Sequence, residues 1–354
     1  MTLTSCPPPQ DGSSQSTSNE SAFFVHNREP SPEIIEGIVR ERQIAAVGGA
    51  YGVGKSPWLQ ELLICRLNGS PWCGRNVIPG PAALFDFENP AWTIRQNIEN
   101  VCHRYGFRVP RIPEELEIFP EIDDPAINPA TAELLKLLKS GSVDEKFRLL
   151  EEVLNRKPNA LLIIDPPEMF FPINTRQKTD VLWLYSQYRI LLSKRPAAVI
   201  MNTFNLRKED KRVGRSNLFL NPRGWLEEVS GSLDLLNRSD VRLGMDFYGL
   251  DDIRVVNGVR RGEDLHPLLI RSEFLEGDPD KPAGFELVQA SEAEVLGALK
   301  GKLHEYWLAL PHEFTFEEAT KIMGKSNFDR LKKRTTSLGA LEHVARAQYR
   351  KVAG

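Results

Sequence analysis

Short apolar runs alternate with longer amphipathic stretches along the first two thirds of the chain. Four of the runs have the length and composition of buried β-strands, and they lie at Ile44–Val47, Ala82–Phe87, Ala160–Ile164 and Ala197–Met201. Between them, apolar residues recur at helical spacing, as in Thr93–His103 and Thr179–Leu192. This alternation predicts an α/β fold in which helices cover both faces of a parallel sheet.

The pattern changes after Val229, where strand candidates follow one another closely. They lie at Leu233–Leu236, Val241–Phe247, Ile253–Val256 and Pro267–Ile270. Turns at 249–252 and 257–258 are predicted to separate neighbouring candidates. The sheet is therefore expected to end in an antiparallel extension. A stretch rich in Gly, Pro and Asp, Glu276–Gly284, is predicted to be a linker.

The C-terminal part of the chain predicts a small basic module. The predicted elements are a helix at Glu294–Leu308, a short helix at Thr315–Met323, a basic helix at Ser326–Leu338 and a strand pair at Leu341–Val352. Residues 295–354 carry eleven Lys and Arg against six Asp and Glu, although the whole chain has a net charge of −3. Three helices and a terminal strand pair suggest a winged-helix-like module, and a generic helical cap is the alternative.

Composition narrows the class of protein. Residues 1–30 are rich in Pro, Ser, Thr, Gln and Asn, and we predict a disordered tail there. An α/β core at 31–285 and the basic module at 286–354 complete the expected domains. The chain of 354 residues is 41% hydrophobic and 26% charged, which is typical of a globular protein. The net charge of −3 argues against a globally basic nucleic-acid coat.

The same composition argues against several kinds of site and location. The four cysteines form no C-x-x-C pair, so neither a zinc site nor a disulfide framework is expected. No apolar run approaches the roughly 20 residues of a membrane span, and the N-terminus lacks a signal-peptide pattern. We therefore expect a cytoplasmic protein with no membrane partner.

The segment from Gly49 to Ser56 fits the phosphate-binding pattern G-x-x-x-x-G-K-[ST], between a predicted strand and a predicted helix. Its glycines let backbone N–H groups point at phosphate oxygens, and the helix dipole favours the anion. Lys55 would reach the β- and γ-phosphates of ATP, and the Ser56 hydroxyl would ligate Mg²⁺. The predicted nucleotide-binding residues are Gly49, Ala50, Tyr51, Gly52, Val53, Gly54, Lys55, Ser56 and Pro57.

Carboxylates follow the next two predicted strands. Glu88 closes the run Ala83–Glu88, at the sheet edge where ligands of open α/β sheets bind, and can polarise a water for attack on the γ-phosphate. Asp86 is the competing candidate. The run Leu161–Ile164 closes on Asp165, the Walker B pattern of a Mg²⁺-binding aspartate. Glu168 is a rival catalytic acid, but Pro166-Pro167 is expected to steer it away.

Polar and basic residues follow the fourth strand. Asn202 heads the segment Asn202–Asn205 and is predicted to sense the γ-phosphate. The chain then becomes basic, and the candidates for contact with DNA phosphates are Arg207, Lys208, Lys211, Arg212 and Arg215. A solvated loop is the alternative interpretation of these charges.

Together these motifs resemble a RecA-like ATPase, in particular the RepA-type hexameric replicative helicases of plasmids, over roughly residues 33–275. The resemblance rests on the P-loop, on Leu84–Glu88 followed by a helix with Arg95, on Ile163–Pro166 and on Gly231-Ser232. It implies a RecA-like core with a mostly parallel sheet, and a ring-shaped homo-oligomer, expected to be a hexamer, that acts on single-stranded DNA. Basic residues late in the core would complete the neighbour's ATP site, and Arg260 and Arg261 stand at the corresponding positions.

The sequence therefore supports two main hypotheses. The first is an oligomeric, DNA-stimulated ATPase of the replicative-helicase type. The second is a regulator in which ATP controls DNA binding without translocation. RepA-type proteins usually carry a histidine at the tip of the sensor strand, where Asn202 or Asn205 stands here, and Gly258 occupies the position of an interface lysine. A small-molecule kinase is a weaker third hypothesis, because no lid or acceptor pocket is evident.

Overall fold

The computed structural model describes residues 30–112, 114–120, 142–171, 173–205, 218–219, 221–227, 234–248, 253–261, 263–278, 280–288, 302–311, 313–337, 341–345 and 347–351. The predicted disordered tail and the basic segment 207–215 therefore lie outside the described residues. The described helices and strands all belong to one compact unit, Glu33–Gly354.

A ten-stranded sheet forms the centre of the molecule. Its strands are β3 (Ile44–Gly49), β4 (Ala82–Asp86), β5 (Leu116–Pro120), β6 (Leu161–Asp165), β7 (Val199–Asn205), β8 (Val241–Phe247), β9 (Ile253–Arg260), β10 (Glu263–Asp264), β11 (Leu268–Phe274) and β12 (Pro282–Leu287). A separate hairpin consists of β1 (Glu33–Ile35) and β2 (Val39–Arg40).

The order of strands in the sheet is β12-β11-β9-β8-β3-β7-β6-β4-β5, with β10 paired to β9. Strands β8, β3, β7, β6, β4 and β5 are parallel, and β9, β11 and β12 continue the sheet in antiparallel pairs. The prediction of a mostly parallel sheet with an antiparallel extension is confirmed. Because β7 lies between β3 and β6, the strand before the P-loop does not adjoin the strand that ends in Asp165.

Ten helices are described: α1 (Lys55–Asn68), α2 (Ala91–Tyr105), α3 (Val143–Arg156), α4 (Pro167–Phe170), α5 (Lys178–Lys194), α6 (Pro222–Leu226), α7 (Asp234–Asn237), α8 (Lys302–Ala309), α9 (Phe316–Met323) and α10 (Lys325–Ser337). Helices α1 and α2 share one apolar cluster with Ala45 and Val47. Helices α3 and α5 share another with Ile44 and Ala46. Since alternate residues of a strand point to opposite faces, helices cover both faces of β3. None of the helices in the described part is long and apolar enough to cross a bilayer.

A buried carboxyl group joins α1, α2 and the edge strand β12. Glu61 is fully buried, and it accepts hydrogen bonds from Tyr105 Oη at 2.8 Å, Arg104 at 3.1 Å and the backbone N–H of Phe285 at 3.0 Å. Burial is the largest influence on this group and raises its pKa to about 7, despite the nearby Arg104. Gly284 leaves room for the Glu61 carboxyl group, because an added Cβ would lie 2.6 Å from the Glu61 carboxyl carbon.

Three expectations for the extension are wrong. The region Leu233–Leu236 was predicted as a strand, but Asp234–Asn237 is helical. Residues 257–258 do not form a turn, because β9 runs through them. Gly258 allows β9 to pack closely against β8 there, since an added Cβ would lie 2.0 Å from the carbonyl oxygen of Arg242 on β8. The end of the predicted linker belongs to strand β12.

The C-terminal module contains α8, α9 and α10 and a three-stranded antiparallel sheet. Its strands are β13 (Glu313–Thr315), β14 (Leu341–Ala345) and β15 (Gln348–Lys351), in the order β13-β15-β14. Thr315 caps α9 in a reciprocal capping box with Glu318, which fits the predicted start of that helix. Phe314, Phe328 and Tyr349 pack together in its core. These elements agree with the predicted winged-helix-like module, while the domain boundaries remain predictions.

Candidate functional site

The P-loop connects the end of β3 to the beginning of α1, as predicted. Gly52 and Gly54 have φ values of +77° and +102°, which favour glycine because other residues are strained there. Gly49 is closely packed as well, since an added Cβ would lie 2.9 Å from the carbonyl oxygen of Met245. The loop therefore keeps a tight path, and the free N–H groups at the start of α1 favour an anion.

Lys55 lies inside this loop. It is buried, and its Nζ donates to the carbonyl oxygens of Gly49 at 3.0 Å and Ala50 at 3.1 Å and to Asn205 Oδ1 at 3.2 Å. Burial lowers the pKa of Lys55, while the carboxylates of the site oppose that change. The loop thus holds an amine whose neutral hydrogen-bond acceptors a phosphate oxygen can replace.

Asp165 and Asp86 lie opposite each other at the ends of the adjacent strands β6 and β4. Thr203 Oγ1 donates a hydrogen bond to Asp165 Oδ1. Asp165 Oδ2 is buried, and no described residue is hydrogen-bonded to it. Burial and the nearby charge of Asp165 raise the pKa of Asp86. One oxygen of Asp165 is therefore left available for a water of a Mg²⁺ shell.

Asp86 differs from Asp165 because both oxygens of its carboxylate accept hydrogen bonds. It accepts hydrogen bonds from Gln60 Nε2 at 3.3 Å, from the backbone N–H groups of Glu88 at 3.1 Å and Asn89 at 2.9 Å, and from the Asn89 side chain. These bonds fix the turn that carries Glu88. The geometry therefore favours Glu88 over Asp86 as the group that contacts a water.

Asn205 bridges two residues of the site. Its Oδ1 accepts from Lys55, and its Nδ2 donates to Glu88 Oε1 at 3.4 Å. Asn202 lies three residues earlier and faces the other side of the sheet, where it is fully buried and accepts from Tyr188 Oη at 3.0 Å. The structure does not bring Asn202 to the site, because three residues along a strand reverse the face. Asn205, and not Asn202, is therefore the candidate sensor of the γ-phosphate.

Glu168 was expected to point away, and this expectation is wrong. Pro167 begins the short helix α4, which brings Glu168 close enough to Lys55, Glu88 and Asp165 for mutual electrostatic influence. Burial is the main reason why its pKa rises to about 7. Its Oε2 is buried without a hydrogen-bond partner among the described residues. Desolvation and the charge of Asp165 also raise the pKa of Glu88. The site therefore contains two carboxyl groups, Glu88 and Glu168, whose pKa values are raised.

The described residues contain no group of three or more His, Cys, Asp or Glu able to hold a metal ion. Mg²⁺ in a nucleotide site binds through one or two protein oxygens together with phosphates and waters. Ser56 in the first turn of α1 and Asp165 at the end of β6 are the residues that fit this ion.

Arg254 also contacts the P-loop, which no local pattern in the sequence indicated. Its side chain is buried, and Nε donates to the carbonyl oxygen of Val53 at 2.7 Å. The guanidinium carbon lies 5.3 Å from the ring centre of Phe247 and 5.5 Å from that of Phe285. Arg254 therefore fixes the middle of the loop to strand β9.

Arg260 and Arg261 lie at the opposite edge of the sheet from their own P-loop. Arg260 pairs with Glu33 at 2.8 Å, and Arg261 pairs with Asp240 at 2.5 Å. Asp240 also accepts from the backbone N–H of Ile44, the first residue of β3. The two arginines are therefore not part of the site in their own subunit, and their role towards a neighbour remains a prediction.

The structure describes the basic helix α10 but none of the predicted DNA contacts. Arg207, Lys208, Lys211, Arg212 and Arg215 lie outside the described residues. On the basic helix α10, Lys332 Nζ donates to Tyr349 Oη at 3.0 Å, while Lys333 is exposed. Lys332 therefore helps to hold the module together, and Lys333 is the better candidate on that helix for a nucleic-acid contact.

Two solved structures are similar to the chain. A KaiC-like protein from the hyperthermophilic archaeon Pyrococcus horikoshii OT3 is 14% identical, with a TM-score of 0.41 over 72% of this chain and 93% of the other. The flagellar accessory protein FlaH from Methanocaldococcus jannaschii is 11% identical, with a TM-score of 0.41 over 70% of this chain and 90% of the other. No curated protein sequence matches significantly.

The sequence profile of the AAA domain gives the clearest comparison. It matches residues 13–201, which is more than half of the chain and includes the P-loop, Glu88, Asp165 and Asn202. The chain belongs to the AAA domain family of P-loop ATPases.

Proposed function

We propose that the chain binds ATP with Mg²⁺ and hydrolyses it. The observation that carries this proposal is the convergence of Lys55, Asp165 and Asn205 at the carboxyl edge of the parallel sheet. Lys55 would exchange its carbonyl partners for β- and γ-phosphate oxygens. Ser56 and a water held by Asp165 would bind Mg²⁺, which neutralises developing charge on the phosphates when bound.

Glu88 would accept the proton of the attacking water. Its turn is fixed by Asp86, and its carboxylate lies within hydrogen-bond reach of Asn205 at 3.4 Å. Asn205 also accepts a hydrogen bond from Lys55. Its amide therefore contacts both the lysine that would bind the γ-phosphate and the proposed base. Glu168 is the rival base, because it is buried close to the same groups. Catalysis by positioning and electrostatics is the usual mode of phosphoryl transfer.

We further propose that the active form is a ring-shaped homo-oligomer stimulated by single-stranded DNA, as in RepA-type helicases. Arg260 or Arg261 of one subunit would complete the neighbour's site. The basic residues 207–215 follow strand β7 closely, because only Leu206 separates them from Asn205. That connection supports a DNA contact that responds to the nucleotide.

An ATP-switched DNA-binding regulator is the alternative function. The observation that favours it is the winged-helix-like arrangement of the basic C-terminal module, with Lys333 exposed on α10. In that case the C-terminal module, and not residues 207–215, would supply the main DNA contact. ATP would then change affinity for DNA without translocation.

Steady-state ATPase rates with and without single-stranded DNA test these proposals. Wild-type protein should hydrolyse ATP, and Lys55→Ala should abolish hydrolysis and weaken ATP binding, because the cation at the phosphates is lost. Unchanged turnover in Lys55→Ala would exclude the assigned site. Elution size with and without ATP and Mg²⁺ tests the ring.

The source of DNA contact needs a separate comparison. Neutralising Lys208 and Lys211 should remove the stimulation of ATPase activity by DNA. It should also make the slope of log affinity for DNA against log salt concentration shallower by about 0.7 per lost contact. Deletion of residues 290–354 should leave stimulation intact. The reverse pattern would contradict the helicase-type proposal and favour the regulator.

A further inference from the structure

A cleft of about 440 Å³ opens at the amino-terminal edge of the parallel strands, away from the P-loop. Four arginines from separate elements line it, and we call it the arginine cleft. They are Arg189 on α5, Arg238 after α7, Arg242 on β8 and Arg261 after β9. Of these four arginines, only Arg261 also has a role in the proposed function of the P-loop site.

One carboxylate serves two of these arginines. Asp240 is buried, and it accepts from Arg189 at 2.7 and 2.9 Å and from Arg261 at 2.5 and 2.9 Å. Burial opposes its charge, yet Arg189, Arg261 and the N–H of Ile44 hold the pKa of Asp240 below its usual value. A single negative charge is thus shared between two guanidinium groups.

The other two arginines add charge that no acidic group in the described part of the chain balances. Arg238 is exposed, and no described carboxylate pairs with it. Arg242 has a buried Nε without a hydrogen-bond partner among the described residues. Burial and the nearby charge of Arg223 lower the pKa of Arg242. The cleft therefore contains four guanidinium groups and one carboxylate, with an unsatisfied donor.

Guanidinium groups bind phosphates and carboxylates, because two parallel N–H donors match two oxygens of either anion. A phosphate in the cleft would supply acceptors to Arg242 and Arg238 and would reduce the repulsion among the four cations. The carboxylate of Asp240 is already bound to Arg189 and Arg261.

The arginine cleft is separate from the P-loop. Asp240 bonds to Ile44, the first residue of β3, whereas the P-loop follows Gly49, its last residue. Five strand residues separate the two ends by about 17 Å. A ligand in the cleft and a nucleotide at the P-loop of the same subunit can therefore be bound together.

We propose that the arginine cleft is a second anion site, which binds a phosphate group. The phosphate can belong to a free phosphorylated small molecule or to the backbone of a nucleic acid, and both offer the same oxygens. Failure of the ATPase proposal would leave this site unaffected, because the test below is made without a functional P-loop lysine.

The test measures the melting temperature of the full chain carrying Lys55→Ala. Inorganic pyrophosphate and a single-stranded oligonucleotide serve as probes for the two sources. Saturating probe should raise the melting temperature by about 2–4 °C. When Arg238→Gln and Arg242→Gln are added, the shift with pyrophosphate should vanish and the shift with the oligonucleotide should decrease, because residues 207–215 are proposed to bind DNA as well. Both shifts should persist with Arg271→Gln, an exposed arginine on β11 paired with Glu286. A loss confined to the pyrophosphate shift would identify a free phosphate as the ligand of the cleft, and a decrease of the oligonucleotide shift would identify a nucleic acid.

Two results would overturn the proposal. One is the absence of a shift with either probe. The other is an undiminished shift in the double variant, which would assign the anion to the P-loop or another surface. If the double variant does not fold, Arg238→Gln alone provides the test, because this side chain is exposed. It should weaken binding of the probe about tenfold, and unchanged affinity would overturn the proposal.

Discussion

Asn205 Oδ1 accepts a hydrogen bond from Lys55 Nζ at 3.2 Å, which connects the tip of strand β7 to the P-loop. The same amide donates to Glu88. We expect Asn205→Ala to slow ATP hydrolysis about 10–100-fold while ATP still binds, because one hydrogen bond to a charged group is lost. Rates at saturating ATP and equilibrium binding of ATP measure the two effects separately.

Asn202→Ala is the matched control for Asn205. It should lower stability by about 1–3 kcal/mol, since Tyr188 Oη loses its buried partner, and it should retain hydrolysis. Loss of turnover in a folded Asn202→Ala protein, with normal turnover in Asn205→Ala, would restore the original assignment of the sensor.

The identity of the base can be tested with two isosteric changes. Glu88→Gln should keep ATP bound and reduce turnover about 10²–10⁴-fold, because an amide cannot accept the proton of the attacking water. Glu168→Gln should have a smaller effect if Glu168 only shapes the electrostatics of the site. Normal turnover in Glu88→Gln together with an inactive Glu168→Gln would transfer the role of base to Glu168.

Arg254 should matter for nucleotide affinity more than for the chemical step, since it holds the loop and not the reacting atoms. We expect Arg254→Gln to raise the KM for ATP about tenfold, with a smaller change in kcat, because the bond to the Val53 carbonyl is lost. Arg271→Gln on the neighbouring strand provides the control. A fall in kcat at unchanged KM would argue against a positioning role.

Glu61 makes the stability of the fold depend on pH. Its pKa of about 7 exceeds the ordinary value of 4.5, so between these limits the folded chain retains a proton that the unfolded chain releases. Stability should therefore fall as pH rises from 4.5 to 7, by a contribution of the order of 3 kcal/mol. Glu61→Gln should remove this part of the pH dependence, which melting temperatures at several pH values measure. An unaltered profile would contradict the assignment.

Local patterns in the sequence were sufficient for much of the site. The P-loop, Glu88 and Asp165 follow apolar runs, and the ends of parallel strands meet at one edge whatever the details of packing. The choice between Asn202 and Asn205 depended on which face of β7 each residue takes. That face depends on where the strand is anchored in the sheet, so local sequence did not decide it.

Other features arise from contacts between distant parts of the chain. Arg254 meets Val53 across 201 positions, and Phe285 meets Glu61 across 224. No local periodicity reports such pairs. Glu168 was named as a rival acid but wrongly placed away from the site, because a proline at the first position of a helix can begin a helical turn as well as end one. The edge strand β12 was partly assigned to a linker because its first residues, Pro282 to Gly284, continue a stretch rich in Gly, Pro and Asp.

The position of β7 between β3 and β6 has a thermodynamic consequence. This strand supplies Thr203 to Asp165 and Asn205 to Lys55, and its chain continues into the basic residues 207–215. If ATP changes the affinity of those residues for DNA, then DNA must change the affinity for ATP by the same factor, whichever ligand binds first. One strand would thus couple two equilibria, and either ligand could be titrated to measure the other's effect.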